Sequence, residues 1–267
     1  MARLLRRREK RPDAAMVYRR AVILDFQVAT GHWLSVPPPE ELRGLLARWD
    51  RSEREQFYAE SRRFSDENVA LLRESGLWQE MTEEERQVAG GLPGEIEEQL
   101  VINATWAMES AACLLWSLGY LETLPRYDTQ ADLGLLELLP DGPVEALASK
   151  AALRDFDGIS RARDLAELWH WRGRTRQLQE EGGLKGEIVE GQSIEEVIRL
   201  AAEEAASMGD LAETLGGDFP IFGRPYCDAS ADEWTRAISI AMERHQAFNW
   251  LCGYAPRNRW DEVPTDT

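Results

Sequence analysis

The sequence is poor in cysteine, and the three it has do not form a recognisable pattern. Cys113, Cys227 and Cys252 are odd in number and lack CxxC spacing. They therefore predict neither a disulfide framework nor a zinc site. Two of them lie in apolar helical patterns, where a thiol behaves as a small hydrophobic group. This usage favours a cytoplasmic protein.

Long uncharged apolar runs are also missing. The apolar stretch behind the basic N-terminus ends at Asp25, which makes it too short for the core of a secretory signal. The segment most like a membrane span, 100–121, contains Asn103 and Glu109. A charge near the middle of a span is costly, so a buried helix of a soluble protein is the better interpretation.

The sequence has no serine elbow, P-loop, dinucleotide fingerprint, HExxH or kinase signature. One ExxH pair, Glu167 and His170, is present, but a di-iron centre needs two such pairs and further carboxylates. We expect a structural salt bridge or a surface-edge histidine there. The sequence predicts no metal and no cofactor.

What the chain has in excess is negative charge. It holds 48 acidic against 31 basic residues, a net charge of −17. The first 20 residues carry +6 and the remainder −23, which opposes nucleic-acid binding by the body. Only a flexible arm over residues 1–12 is a conceivable nucleic-acid contact. Its cations are Arg3, Arg6, Arg7, Arg8, Lys10 and Arg11.

Helix signals predict a mostly helical, all-α fold. Capping-box patterns begin at Ser52, Thr82, Ser193 and Ser230, and glycines such as Gly31 mark expected helix ends. About ten helices are expected, near 13–30, 39–50, 53–62, 66–75, 83–89, 95–118, 143–153, 159–181, 194–207 and 231–252.

Strand signals predict at most one short β-hairpin. We expect one strand at 186–191 and an extended loop, not a strand, at 219–226. No repeat or flexible linker divides the chain. Residues 13–267 are therefore expected to form a single helical domain.

The helix predicted at 95–118 is apolar on nearly every face, as expected for a helix that others surround. Glu109 lies in its middle. A buried carboxylate requires a cation and hydrogen bonds, so we expect an arginine or histidine partner from another helix.

Weak candidates for catalysis are His245, Glu243 and Glu109. His245 falls on the apolar stripe of the last long helix, one turn before Asn249, which could orient it as a general base. A buried histidine satisfied by its neighbours is the favoured alternative. A further possibility is an aromatic ligand cage around Trp169, Trp171 and Trp250.

Several motifs resemble a known family. The segments Trp106–Glu109, Leu114–Gly119, Arg163–Arg172, Phe222–Tyr226, Met242–His245, Asn249–Tyr254 and Trp260–Thr267 resemble the bacterial family catalogued as domain of unknown function 4272. The likeness covers roughly residues 75–267. It implies a cytoplasmic, helix-rich protein and carries no established activity.

The resemblance also singles out polar and aromatic residues that form either a site or a network locking helices together. They are Glu109, Asp164, Trp171, Arg172, Glu243, Arg244, His245, Asn249, Trp250, Trp260 and Asp261.

The charge and the missing motifs together favour a non-enzymatic binding protein that recognises a basic macromolecular partner, with toxin neutralisation as one example. The alternative is an unfamiliar hydrolase that uses His245 with Glu109 or Glu243. The sequence leaves the partner and the oligomeric state open.

Overall fold

The computed structural model describes residues 10–184 and 191–267, and these are mostly helical, as predicted. The strand expected at 186–191 falls almost wholly outside the described residues, as does most of the basic arm. The α-helices are α1 (Ala14–Ser35), α2 (Pro39–Arg48), α3 (Arg51–Glu74), α4 (Glu83–Ala89), α5 (Glu98–Ser117), α6 (Val144–Ala148), α7 (Phe156–Glu180), α8 (Ile194–Ser207) and α9 (Ala231–Leu251). Short 3-10 turns cover Leu77–Gln79, Leu133–Leu138, Tyr226–Asp228, Pro256–Asn258 and Trp260–Glu262.

Side-chain caps fix several helix starts. Complete capping boxes at Thr82 and Ser230 begin α4 and α9, and the Ser193 hydroxyl caps α8. The box predicted at Ser52 is wrong. Asp50 caps α3 instead, and its reciprocal partner is Glu53.

Three predicted helix boundaries are also wrong. The helix expected at 143–153 is the short helix α6, which ends at Ala148. Gly31 does not end α1 but lies inside it. A Cβ at this position would come within 2.7 Å of the Ala104 Cβ on α5, so the glycine allows α1 and α5 to pack closely. The helices expected at 53–62 and 66–75 form the single helix α3, since no glycine or proline interrupts 51–74.

The core is built from four long helices. Helix α5 packs between α1 and α9, and α9 packs in turn on α7. The largest apolar cluster joins residues of α1, α5 and α9 with the last turns of the chain. A second cluster, around Trp169, Ala202 and Phe219, joins α7 and α8 to the loop before α9. The predicted central helix is therefore α5.

A small hairpin replaces the loop predicted at 219–226. Strands β1 (Pro220–Ile221) and β2 (Arg224–Pro225) pair antiparallel. The turn residues Phe222 and Gly223 have φ of 49° and 73°, and positive φ at both positions suits a two-residue hairpin turn. The strands are short because Pro220 and Pro225, which face each other, lack an N–H to extend the ladder.

Candidate functional site

Five of the eleven motif residues lie in three separate buried networks on α5, α7 and α9 rather than in one cluster. They are Glu109, Arg172, Arg244, His245 and Asn249. Each network joins a charged or polar side chain of one helix to a group on another helix or on a loop.

The first network is centred on Glu109 of α5. Its cationic partner is Arg244 of α9, and both side chains are fully buried. The Arg244 Nε and Nη2 atoms lie 2.9 and 2.8 Å from Oε2 of Glu109, while Oε1 accepts a hydrogen bond from the Ala131 N–H at 2.7 Å. Both carboxylate oxygens of Glu109 therefore accept hydrogen bonds.

Arg244 also holds the loop after α5. Its Nη1 donates to the carbonyl of Pro125 at 2.6 Å, and the guanidinium lies 4.8 Å from the ring centre of Tyr127. Tyr127 stacks on Trp169 of α7 with ring centres 5.0 Å apart. This network therefore ties α5 and α9 to the loop and the loop to α7.

The second network pairs Arg172 of α7 with Asp218. The Nε and Nη2 atoms donate to the two carboxylate oxygens at 2.7 and 2.6 Å, and Arg172 is fully buried. The same oxygens accept from the N–H groups of Phe219 and Cys227. Asp218 thus anchors the β1–β2 hairpin to α7, and Arg172 does not join Glu109.

The third network contains His170 of α7 and His245 of α9, whose Nδ1 atoms are 3.1 Å apart. Asn249 lies 2.9 Å from the other ring nitrogen of His245. It also accepts from Arg163 Nε at 2.8 Å and donates to the carbonyl of Pro264 at 2.7 Å. The network therefore reaches from α7 through α9 to the end of the chain.

The neighbours fix the protons in this network. Arginine can only donate and a carbonyl can only accept, so the Asn249 oxygen faces Arg163 and its NH₂ group faces both His245 and Pro264. The His245 Nε2 must then accept, which places its proton on Nδ1. That proton is donated to Nδ1 of His170, and both rings are neutral.

Burial keeps both histidines neutral. It lowers the pKa of His170 to about 4, with the nearby Arg174 adding to the effect. It lowers the pKa of His245 to about 3, with contributions from His170 and Arg163. His245 is fully buried and both of its ring nitrogens are hydrogen-bonded, so in this conformation it lacks the contact with substrate that a general base needs.

The structure corrects the expectation for the ExxH pair. His170 is buried and bonds to His245, while Glu167 pairs with Arg163 at 2.7 Å. His170 is thus neither a surface histidine nor the partner of Glu167. The reason is that His170 lies on the side of α7 that packs against α9.

Glu243 lies beside the first network without joining the Arg244 pair. Its carboxylate accepts from the Ser110 hydroxyl at 3.0 Å. Burial raises the pKa of Glu243 to about 7, and the nearby charge of Glu109 adds to the effect. Glu243 is thus a partly buried acid that titrates near neutrality, on the turn of α9 that carries Arg244.

The predicted indole cage does not form as one group. Trp169 packs with Tyr127, Phe219 and Tyr226, whereas Trp250 contacts Trp260 with ring centres 5.4 Å apart.

The remaining motif residues lie at the edges of these networks or outside them. Trp171 is partly buried beside the second apolar cluster. Asp164 and Asp261 are exposed and pair with Arg163 and Arg259. These two carboxylates face solvent.

Sequence reasoning missed three members of these networks, Tyr127, Asp218 and Arg163. Tyr127 and Asp218 lie in loops and carry no periodic signal. Arg163 is followed by Asp164 and preceded at two positions by Arg161, a charged pattern that suggests a solvated face. Only the folded arrangement brings these residues to their partners.

Within residues 10–184 and 191–267, no group of three or more histidine, cysteine, aspartate or glutamate side chains is placed to hold a metal ion. In the same residues no helix is both long enough and apolar enough to cross a membrane.

The fold and networks define a class, a mostly helical protein in which five motif residues form buried polar contacts that join helices and loops. The chain belongs to the family described as "Domain of unknown function (DUF4272)", whose model matches residues 10–193. The match runs from α1 to the residue that caps α8, and it includes Glu109, Asp164, Trp171 and Arg172. It begins before the motifs that suggested the resemblance and ends before α9. No curated protein and no solved structure matches the chain.

Proposed function

We propose that this protein is a non-enzymatic binding protein that recognises a basic macromolecular partner in the bacterial cytoplasm. The observation that carries the proposal is its charge, −17 overall and −23 after residue 20. Charge of one sign speeds encounter with a partner of the other sign and gives specificity. Neutralisation of a basic toxin is one role that fits.

The distribution of carboxylates between the buried networks and the surface supports this proposal. Glu109, Glu85 and Asp218 are buried against arginines. Most other carboxylates are at least partly exposed, so the excess negative charge faces solvent and is available to a partner. Catalysis by His245 would need a rearrangement that opens the α7–α9 contact, and no observation here favours the hydrolase alternative.

The cytoplasmic location rests on the cysteines. None of the three cysteines forms a disulfide: Cys113 and Cys252 are buried, and the Cys227 thiol is exposed. An exposed free thiol is typical of a reducing compartment.

The proposal is tested by capture at low ionic strength. The immobilised full chain is exposed to a cell extract, and bound proteins are eluted with a rising NaCl gradient. An unrelated acidic protein of similar net charge serves as the control. We expect at least one basic protein that the control does not retain and that salt releases. Capture of nothing beyond the control, or of partners insensitive to salt, would contradict the proposal.

A further inference from the structure

A cleft of about 450 Å³ lies between α1, the end of α3 and the segment 136–144 that leads into α6. It shares no residue with the three buried networks. Its walls come from three parts of the chain that are brought together only by folding. We call it the leucine cleft.

The walls of the leucine cleft are largely apolar. Helix α1 contributes Val22 and Phe26, and the segment before α6 contributes Leu136 and Leu139. Leu71 of α3 also lines the cleft and is 53% exposed. A leucine this open at the edge of an apolar cleft is available for contact with a partner.

Further exposed leucines lie on the 3-10 turn Leu133–Leu138, which contributes Leu136 and Glu137 to the cleft. No residue of this turn is buried, although four of its six residues are leucine. Leu133 and Leu138 are 42% and 38% exposed. Exposed apolar side chains grouped on one turn beside an apolar cleft favour an interaction site.

The charged residues that line the leucine cleft are all acidic. Between residues 127 and 149 the chain has five acidic residues and no lysine or arginine. Asp25, Glu137 and Asp141 line the leucine cleft. Among the described residues, none of these three carboxylates has a hydrogen-bond or ion-pair partner.

Among the described residues that line the cleft, no cation accompanies Asp25. Its carboxylate is partly buried, and burial alone raises its pKa to about 6. A cation placed against it would favour the charged form and restore part of the lost solvation. By contrast, the three most deeply buried carboxylates among the described residues, Glu109, Glu85 and Asp218, each have an arginine partner.

We propose that the leucine cleft is the docking site for a basic amphipathic helix of the partner protein. Apolar side chains of that helix would pack on Leu71, Leu136 and Leu139, while its lysines or arginines would pair with Asp25, Glu137 and Asp141. Docking of an amphipathic helix in an apolar groove is a common mode of peptide recognition. This inference rests on the proposed function and assigns it a surface.

The test uses a labelled synthetic peptide of about 14 residues, or four helical turns, with leucines on one helix face and lysines on the other. Binding to the full chain is measured by fluorescence anisotropy at low salt. The first control peptide has the same composition in an order that is not amphipathic. In the second, glutamate replaces every lysine. We expect only the amphipathic basic peptide to bind tightly.

The site is tested with the double variant Leu71→Gln, Glu137→Gln. Both residues are solvent-accessible and neither has a polar partner, so the fold should tolerate the changes. The matched control is Leu200→Gln, Glu204→Gln, which alters one exposed leucine and one exposed glutamate on α8. We expect the cleft variant to weaken peptide binding by about tenfold and the control variant by less than about twofold. Circular dichroism checks that both variants are folded.

The outcomes separate this proposal from the proposed function. Equal weakening by the two variants, or equally tight binding of the non-amphipathic peptide, would overturn the cleft and leave salt-sensitive capture of a basic partner intact. A large gain in peptide affinity on deleting residues 1–9 would show that the chain's own basic arm competes for the site, and would also overturn the proposal. Capture that fails while the cleft binds the peptide as expected would contradict the proposed function alone.

Discussion

At the scale of the residue, the protein depends on buried ion pairs between arginines and carboxylates, such as Glu109 with Arg244 and Asp218 with Arg172. Its basic residues are almost all arginine, with lysine only at positions 10, 150 and 185. Arginine presents several donors in a fixed plane. Arg244 uses that geometry to hold one carboxylate and a backbone carbonyl of the loop after α5 at the same time. A lysine at this position would supply the positive charge but not the planar set of donors that contacts both groups at once.

The first prediction concerns Glu109. Glu109→Ala should lower the free energy of unfolding by about 3–5 kcal/mol, because it leaves the Arg244 guanidinium buried without a counter-charge. Glu109→Gln should cost less, since the amide keeps the volume and can still accept from the Ala131 N–H. Urea denaturation measures both. Glu204→Ala, an exposed change on α8, is the control. Equal stability of wild type and both Glu109 variants would show that the pair contributes nothing.

The histidine pair makes a second prediction, on pH. Unfolded histidine has a pKa of about 6.5, above the values of about 4 and about 3 for His170 and His245 in the fold. Between pH 6.5 and about 4 the unfolded chain therefore binds more protons. The two histidines should lower the free energy of unfolding as the pH falls through this range, by up to about 1.4 kcal/mol per pH unit for each.

Two carboxyl groups have the opposite effect on the pH dependence of the free energy of unfolding. Burial raises the pKa of Glu243 to about 7 and that of Asp25 to about 6, so the folded state binds more protons than the unfolded one above about pH 4. The contribution of the histidines is isolated by comparing how steeply the free energy of unfolding changes with pH in wild type and in histidine variants. His170→Gln should make the stability curve shallower between pH 6.5 and 4, whereas His32→Gln, on the exposed side of α1, should not. Identical slopes for wild type and His170→Gln would contradict the prediction.

At the scale of the element, the sequence predicted the helices better than their contacts. Capping residues and apolar periodicity are local signals, so α4 and α8 begin and end as predicted. The predicted burial of Glu109 also correctly indicated a cationic partner on another helix. The pairing of Arg172 with Asp218 depends on a loop 46 residues away. No local pattern encodes that distance. The hairpin at 220–225 was missed because its turn requires a positive φ at Phe222. Phenylalanine rarely adopts a positive φ, so the sequence carries no signal for this turn.

Close approach of helices gives the third prediction. A Cβ on Gly173 of α7 would lie 2.8 Å from Ile238 Cβ on α9. Gly173→Ala should therefore push the two helices apart and cost about 1–3 kcal/mol of stability. Gly44→Ala, in α2 with open space around it, should instead stabilise by about 0.5–1 kcal/mol through its better helix propensity. Thermal unfolding compares the two, and a stabilising Gly173→Ala would show that the α7–α9 contact is looser than described.

At the scale of the whole molecule, two kinds of charge coexist. Buried pairs such as Glu109–Arg244 are shielded from solvent ions, whereas the surplus carboxylates are exposed and repel each other. Exposed ion pairs such as those of Arg199 with Glu196 and Glu203 contribute little and are also screened. Repulsion among the unpaired carboxylates is therefore the electrostatic effect on which salt should act most strongly.

The free energy of unfolding should accordingly rise when NaCl is increased from about 0.01 M to about 0.2 M, over which the Debye length falls from about 30 Å to below 10 Å. Urea denaturation at the two concentrations measures the change. The Glu109→Gln variant should show the same rise as wild type, because its altered charge lies in the interior, where added ions do not reach. A fall in stability with salt would mean that exposed ion pairs outweigh the repulsion, and a rise absent from Glu109→Gln would mean that the buried pair is open to solvent.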